Sequence, residues 1–165
     1  MKIAFRLILA AAVIALGAWL WTVLFPSPEK VVRHRLQELA EEVSFNGNEN
    51  PLIIANRAGN LMALFATNVE VQLDVPGRTD HTFQGRDELM QALAGARASA
   101  SSLRVEFIDV TVTVAPDKRS ATASLTVHAK VGGEKDDFLQ PMRFTLEKSG
   151  HDWLILRVET LRTLT

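Results

Sequence analysis

Two side chains that could act as a base and an acid lie seven residues apart, Asp74 at the end of an alternating segment and His81 in the polar loop after it. A carboxylate beside an imidazole can take a proton from a substrate and return it. Each residue also has an ordinary interpretation. An aspartate just ahead of Pro76-Gly77 caps a turn through its own side chain, and a single loop histidine is commonly solvated. The pair therefore defines a hypothesis, in which Asp74 and His81 are catalytic.

Five further residues are candidates for the lining of a ligand pocket: Phe83, Phe107, Asp109, Phe144 and Trp153. The four aromatic residues could line an apolar cavity, although aromatic residues at these spacings also form ordinary core. If Asp109 pointed inward, it would need a buried partner such as Arg104, Arg143 or Arg157. The alternative for Asp109 is a solvated position at a bend.

The composition excludes several classes of function. The chain has no cysteine, which rules out disulfides, thiolate metal sites and thiol nucleophiles. Its four histidines do not fall at metal-binding spacing with a third ligand, so we predict no metal and no cofactor. The net charge is −1 and there is no long basic tract, which argues against a nucleic-acid partner.

The segment Leu7 to Phe25 contains no charged residue and is long enough, at roughly 28 Å as a helix, to cross a bilayer. Lys2 and Arg6 precede it, and aromatic residues lie near its far end. We therefore predict a single-pass anchor in the inner (plasma) membrane, with residues 1–26 as tail and anchor. Residues 27–165 would form a domain that is periplasmic or extracellular.

The alternative for this segment is a cleaved signal peptide, because Ala15-Leu16-Gly17 is an acceptable small-residue site. Cleavage there would leave an exposed apolar tail beginning at Ala18. The uncleaved anchor is favoured for that reason.

Three helices are predicted after the anchor. The first begins at Ser27-Pro28 and ends near Phe45, the second runs from Pro51 to about Ala66, and the third opens at Asp87. The first two carry apolar stripes at helical spacing: Val32, Leu36, Leu39 and Val43, then Ile54, Ala58, Leu61 and Phe65.

The remaining pattern predicts strands. A short strand covers Val69 to Leu73, and Thr82-Phe83 is a brief return strand. From Leu103 onwards, turn signals at nearly even spacing predict an antiparallel meander of four strands. The apolar residues change parity between Phe107 and Ile108, which predicts a β-bulge there.

This order of elements resembles the nuclear-transport-factor-2-like fold, a cone in which a curved sheet wraps three helices. The group includes ketosteroid isomerases and SnoaL-like polyketide cyclases. The specific similarity lies in Leu64-Phe65-Ala66, in Leu73-Asp74-Val75-Pro76-Gly77 and in Phe83-Gln84-Gly85-Arg86. The fold class implied is α+β, preceded by one transmembrane helix.

The resemblance implies a general base at Asp74, because the isomerases carry their catalytic aspartate after the first strand. Their oxyanion donors, a tyrosine and a protonated aspartate, are not matched. The chain has no tyrosine, and Met142 occupies the place of the second aspartate. Each such donor contributes on the order of 3 kcal/mol to catalysis, so their absence argues against isomerase chemistry.

Two functional hypotheses follow. The first is a non-catalytic binding or scaffold module, held at the membrane, that binds an envelope protein or a small apolar ligand and pairs as a homodimer through the threonine-rich sheet face. The second is a cofactor-independent isomerase or cyclase that uses Asp74 as general base and His81 as acid.

Overall fold

The structure is a computed structural model that describes residues 12, 14–17, 27–74 and 81–161. The helices are α1 (Pro28–Val43), α2 (Pro51–Ala63) and α3 (Gly85–Ser99). The strands are β1 (Phe45–Asn46), β2 (Phe65–Leu73), β3 (His81–Gln84), β4 (Ser102–Val114), β5 (Ser120–Val131), β6 (Phe138–Ser149) and β7 (Asp152–Thr160).

The first two helices begin as their sequences predict. Each has proline in its first turn, and the Asn50 side chain accepts a hydrogen bond of 2.9 Å from the Leu52 N–H. The predicted end of the second helix at Ala66 is wrong. The helix ends at Ala63 because Phe65 pairs with Ile155 and begins β2. The pairing of Phe65 with β7 therefore outweighs its position on the apolar stripe of the predicted helix.

The strands form a seven-stranded sheet in the order β1-β4-β5-β6-β7-β2-β3. The four-stranded meander β4–β7 is confirmed, and β2 joins it by parallel pairing with β7. The two-residue strand β1 was not predicted, since nothing in Phe45-Asn46 shows that it pairs with Leu103 and Ser102.

The predicted bulge exists, but it lies one to two residues further on. The register between β4 and β5 shifts between Ile108 and Thr111, and Asp109 has a φ of 55°. Phe107 and Val110 therefore both face the helices, while Ile108 and Asp109 are exposed. A bulge of this kind bends the strand and curves the sheet.

The helices cover one face of the sheet, α1 against β4 and α3 against β2 and β3, with α2 beside both helices. Among the described residues, the buried hydrophobic side chains lie between Val32 and Val158, and no polar side chain is buried. Residues 27–161 therefore contain the described core, and a chain beginning at Ser27 would keep it.

The predicted membrane segment Leu7 to Phe25 lies outside the described residues, except for Ala12 and residues 14–17. Those five residues are helical, and the side chains of Ile14 and Leu16 are exposed. Within the described part of the chain, no helix combines the length and apolar character that a membrane crossing requires.

Candidate functional site

The predicted catalytic pair lies at the open end of the β2–β3 hairpin. Leu73 pairs with His81, so Asp74 follows the last paired residue of β2 while His81 begins β3. The backbone N–H of Asp74 donates a hydrogen bond of 2.9 Å to Thr160 Oγ1, which ties this end of β2 to β7. The loop of residues 75–80 between the pair lies outside the described residues.

His81 is exposed, and its ring stacks on Phe83 with 6.2 Å between the ring centroids. Asp74 is half-buried. Neither residue lines any of the four recesses described below.

The predicted pocket-lining aromatic residues pack into the core. Phe144 and Trp153 are only 3% and 2% exposed, and Phe107 lies against Phe144 with 5.6 Å between ring centroids. Phe83 is half-buried and packs against the same cluster. The ordinary interpretation, that these residues fill the interior, describes Phe83, Phe144 and Trp153, whereas Phe107 also lines a small recess together with Asp109.

Asp109 is exposed at the bulge rather than pointing inward. Two of its expected partners are paired elsewhere, Arg143 with Glu159 and Arg157 with Glu70. Asp109 lines a surface recess of about 260 Å³ between α1 and β4. At the far side of this recess Arg33 donates a hydrogen bond of 2.9 Å to the Val110 carbonyl, which holds the bulge against α1.

The most apolar recess is a cleft of about 360 Å³ where the three helices meet, which we call the helical cleft. Eight of its ten lining residues are apolar: Ile54, Ala58, Leu61, Met62, Met90, Leu93, Ala94 and Ala98. The other two are Glu42 and Arg97. The Glu42 carboxylate accepts a hydrogen bond of 3.0 Å from the Asn60 side chain, so it already has a partner outside the cleft.

A cluster of charged side chains lies at one end of the helical cleft. Glu49, with a side chain 12% exposed, is in ion-pair contact with the guanidinium of Arg97 and lies 3.7 Å from that of Arg57. The Arg97 guanidinium also lies 4.6 Å from the ring centroid of Phe45, a cation–π contact. Arg57 donates to the carbonyl of Ser44 at 2.6 Å, which satisfies the carboxyl end of α1.

Beyond this cluster lies a second space of about 540 Å³, which we call the loop recess. It is lined by the α1–α2 and α3–β4 connections and by one residue each of α2 and α3: Phe45, Asn46, Gly47, Asn48, Ile54, Arg97, Ala100 and Ser101. The α1–α2 loop passes close to the backbone of Ser101 here. A Cβ on Gly47 would lie only 2.5 Å from the Ser101 carbonyl oxygen. Ile54 and Arg97 line both spaces and so form the wall between them.

A further polar space of about 630 Å³ lies between the end of α1 and strands β4 and β5. Its charged lining residues are three acids and three bases, namely Glu41, Glu49, Glu106, Arg57, Arg104 and Lys130. Its charges balance, so it offers no net charge that would select a ligand.

The outer face of the sheet is polar and carries ion pairs. Arg157 contacts Glu70 at 2.6 Å, and His128 contacts Asp137 at 2.8 Å. The hydrogen bond from Arg157, followed by that from Gln72, lowers the pKa of Glu70 below its usual value. The hydrogen bonds from His128 and Lys130 likewise lower the pKa of Asp137.

Sequence reasoning did not single out the helical cleft, the loop recess or the Glu49 cluster. One signal was available: Pro51 to Ala66 and Leu89 to Ser102 contain a single charged residue each, Arg57 and Arg97. Stretches this poor in charge leave apolar side chains at the surface, which is typical of an interaction site. The sequence does not show that both arginines contact the same carboxylate, that of Glu49.

The fold and the position of its recesses define the class: an α+β protein in which a bulged, curved sheet covers three helices in the cystatin-like manner. Solved structures with this arrangement are NTF2-like proteins, so the expectation drawn from the order of elements is confirmed at the level of the fold.

Among them is an NTF2-like protein of unknown function from Pseudomonas putida KT2440, with 11% identity, coverage of 86% of this chain and 90% of that one, and a TM-score of 0.63. An NTF2-like protein with a cystatin-like fold from Novosphingobium aromaticivorans has 17% identity, coverage of 88% and 86%, and a TM-score of 0.62. A proposed dehydratase of the NTF2-like family from Streptomyces avermitilis has 17% identity, coverage of 83% and 96%, and a TM-score of 0.63. No family model matches the chain, and no curated protein matches it. Identities this low establish the fold alone.

Proposed function

We propose that this protein is a non-catalytic binding module of the NTF2-like fold that takes a small apolar ligand in the helical cleft. The observation that carries the proposal is the composition of the cleft, eight apolar residues of ten around about 360 Å³. Ligand sites are typically concave and mostly apolar, with few polar groups. Two methionines, Met62 and Met90, line it, and their flexible side chains suit an apolar guest of variable shape.

Helices α2 and α3 also carry exposed apolar side chains. Leu52 is 75% exposed, Ile53 49% and Met90 43%. Large exposed apolar side chains beside an apolar cleft are typical of an interaction site. An envelope protein is the alternative occupant of this surface.

Binding is tested with the neutral fluorescent probe N-phenyl-1-naphthylamine. We expect saturable binding to the protein and a loss of affinity of at least roughly tenfold in Met90→Glu, because a charge in an apolar cleft must be desolvated when the probe binds. Met90 is partly exposed, so the variant keeps the core intact.

The matched control is Leu139→Glu, which places the same charge at an exposed apolar position on the opposite side of the sheet. It should bind the probe as the unaltered protein does. Equal binding by all three proteins, or no saturable binding by any of them, would refute the proposed site.

The proposal includes a membrane tether formed by Leu7 to Phe25, which places the domain outside the cytoplasm. Its support is the length and lack of charge of that segment. The full chain should stay with membranes after alkaline carbonate extraction, and a chain beginning at Ser27 should be released. Release of the full chain would contradict the tether.

Catalysis by Asp74 and His81 remains the second hypothesis, supported by the place of Asp74 after β2 and by fold neighbours with dehydratase or cyclase names. Under this hypothesis Asp74→Ala abolishes turnover of a ketosteroid, followed by ultraviolet absorbance, whereas probe binding in the helical cleft is unchanged. Our proposal expects no turnover by either protein.

A further inference from the structure

The helical cleft and the loop recess differ in chemistry although they share a wall. The cleft is apolar, whereas the loop recess offers the side chains of Asn46, Asn48 and Ser101 as hydrogen-bonding groups. A ligand that extends from one space into the other passes the two residues of the shared wall, Ile54 and Arg97.

The three charged groups of the Glu49 cluster do not balance one another. Two guanidinium groups, those of Arg57 and Arg97, lie around one carboxylate, that of Glu49, and give the cluster a net charge of +1. Glu42, the other acid in the cleft lining, lies outside this cluster and keeps its own negative charge, because its hydrogen-bond partner, the Asn60 amide, is neutral. A monoanionic group at the wall would balance the cluster.

Arg97 is equipped to bind such an anion. A guanidinium has five N–H donors, and the contacts of Arg97 use one side of the group for Glu49 and its flat face for Phe45. Its side chain is 24% exposed, which leaves it accessible from both spaces while shielded from bulk solvent. Arginine binds carboxylate and phosphate groups through parallel N–H donors.

We propose that the ligand is an anionic amphiphile, with its apolar tail in the helical cleft and a single carboxylate or phosphate head on Arg97 at the mouth of the loop recess. This inference rests on the proposed function and adds the chemical class of the ligand. Glu49 and Phe45 act as positioning residues, because they hold the guanidinium at the wall without meeting the tail.

The test compares a fluorescent polyene fatty acid with its methyl ester, using a chain that begins at Ser27 and keeps the described core. The acid should bind roughly tenfold more tightly than the ester, the ratio expected for one charge-assisted hydrogen-bonded pair. Arg97→Met, which keeps an apolar stem of similar length, should bring the acid down to the affinity of the ester and leave the ester unchanged.

The matched control is Arg143→Met, which removes an arginine with one ion pair on the outer sheet face. It should preserve the preference for the acid. If Arg97→Met does not fold, as judged by its thermal melting curve, Asn48→Asp in the exposed loop places an opposing charge in the recess. That variant should lower the affinity for the acid severalfold and leave the ester unchanged.

Competition by dodecanoate and by dodecyl phosphate identifies the head group, since displacement by either one supports an anionic head. Equal affinity of acid and ester would overturn the inference while leaving the apolar cleft as a site. Saturable binding of neither compound would overturn both.

Discussion

Single side chains hold the helices to the sheet by hydrogen bonds to backbone N–H and carbonyl groups. Arg86, at the start of α3, donates through Nε to the Phe65 carbonyl at 3.0 Å, with a second contact from Nη2. Ser44, just after α1, accepts from the Val105 N–H at 2.9 Å and donates to the Ala40 carbonyl at 2.6 Å. Each of these side chains satisfies a backbone group at an element end, where the regular ladder of hydrogen bonds stops.

Gly85 makes the Arg86 contact geometrically accessible. Its φ of +79° lies in the region that favours glycine, and a Cβ there would lie 3.5 Å from the Thr67 carbonyl oxygen. The turn brings α3 against the start of β2. The Phe83-Gln84-Gly85-Arg86 segment therefore fixes the position of α3 against β2.

Replacing Arg86 by methionine should lower the free energy of unfolding by about 1–3 kcal/mol, because the Phe65 carbonyl loses a charge-assisted donor in a half-buried place. Urea denaturation measures the change. Arg104→Met, at an exposed position on β4, is the control and should stay within about 0.5 kcal/mol of the unaltered protein. Equal midpoints for the two variants would show that the Arg86 contact contributes nothing.

The acid sensitivity of the sheet should depend on Glu70. Its pKa is lowered in the folded protein, chiefly by the hydrogen bond from Arg157, so its contribution to stability is present above the unfolded pKa and is lost as the pH falls through the folded pKa. Glu70→Gln should therefore lose less stability than the unaltered protein between about pH 6 and about pH 3.

Denaturant midpoints measured at several pH values check this prediction. The effect is small, because an exposed ion pair is screened by solvent. A variant curve parallel to that of the unaltered protein would contradict it.

Among the elements, β4 determines the curvature of the sheet. Its inward side passes from Leu103, Val105 and Phe107 to Val110 and Val112, a change of parity that needs one extra residue. Asp109 supplies it in the left-handed region, and Arg33 fixes the next carbonyl to α1. The strand thus bends where it crosses the first helix.

This geometry predicts opposite effects for two substitutions of Asp109. Asp109→Gly should keep or raise the free energy of unfolding, by up to about 1 kcal/mol, since glycine adopts positive φ without a steric penalty. Asp109→Val should lower it by about 1–3 kcal/mol, because a β-branched residue is strained there. Thermal melting of both variants measures the difference, and an equal shift in both would refute the assignment.

Strand β6 contains a proline, Pro141, in the interior of the sheet, and the side chain of the adjacent Gln140 compensates for its missing N–H. Pro141 has no N–H to give to β7, although its carbonyl accepts from the Leu161 N–H at 2.9 Å. The side-chain amide of Gln140 donates to the Leu161 carbonyl at 3.3 Å and so replaces the missing backbone donor. This side-chain hydrogen bond holds the end of β7 against β6.

At the scale of the whole molecule, the two sides of the sheet differ in what they contact. The inner side packs on the helices and forms a solid core, so the described recesses lie around the helices and at the end of the sheet. The outer side exposes Ile108 and Leu139 among threonines and ion pairs. A homodimer through the outer side would leave the helical cleft open.

That dimer is a prediction with a direct test. Sedimentation of the chain beginning at Ser27 should show a dimer, and Leu139→Glu should weaken it by roughly tenfold or more, because two like charges would face each other across the axis. The same variant keeps ligand binding in the cleft, which separates the two surfaces. A monomer at all concentrations would refute the dimer.

Apart from the short strand β1, the sequence by itself determined the order of elements, the amphipathic faces of the helices, the meander and the presence of a bulge, because each of these depends on local spacing and turn residues. Val32, Leu36 and Leu39 show this most plainly, as their helical spacing alone placed them in the core. Only the tertiary structure decided that Phe65 belongs to a strand, that Asp109 is the bulged residue, and that Arg57 and Arg97 meet Glu49. Those outcomes depend on contacts between segments far apart in the chain, whose energies exceed the local preferences that a sequence displays.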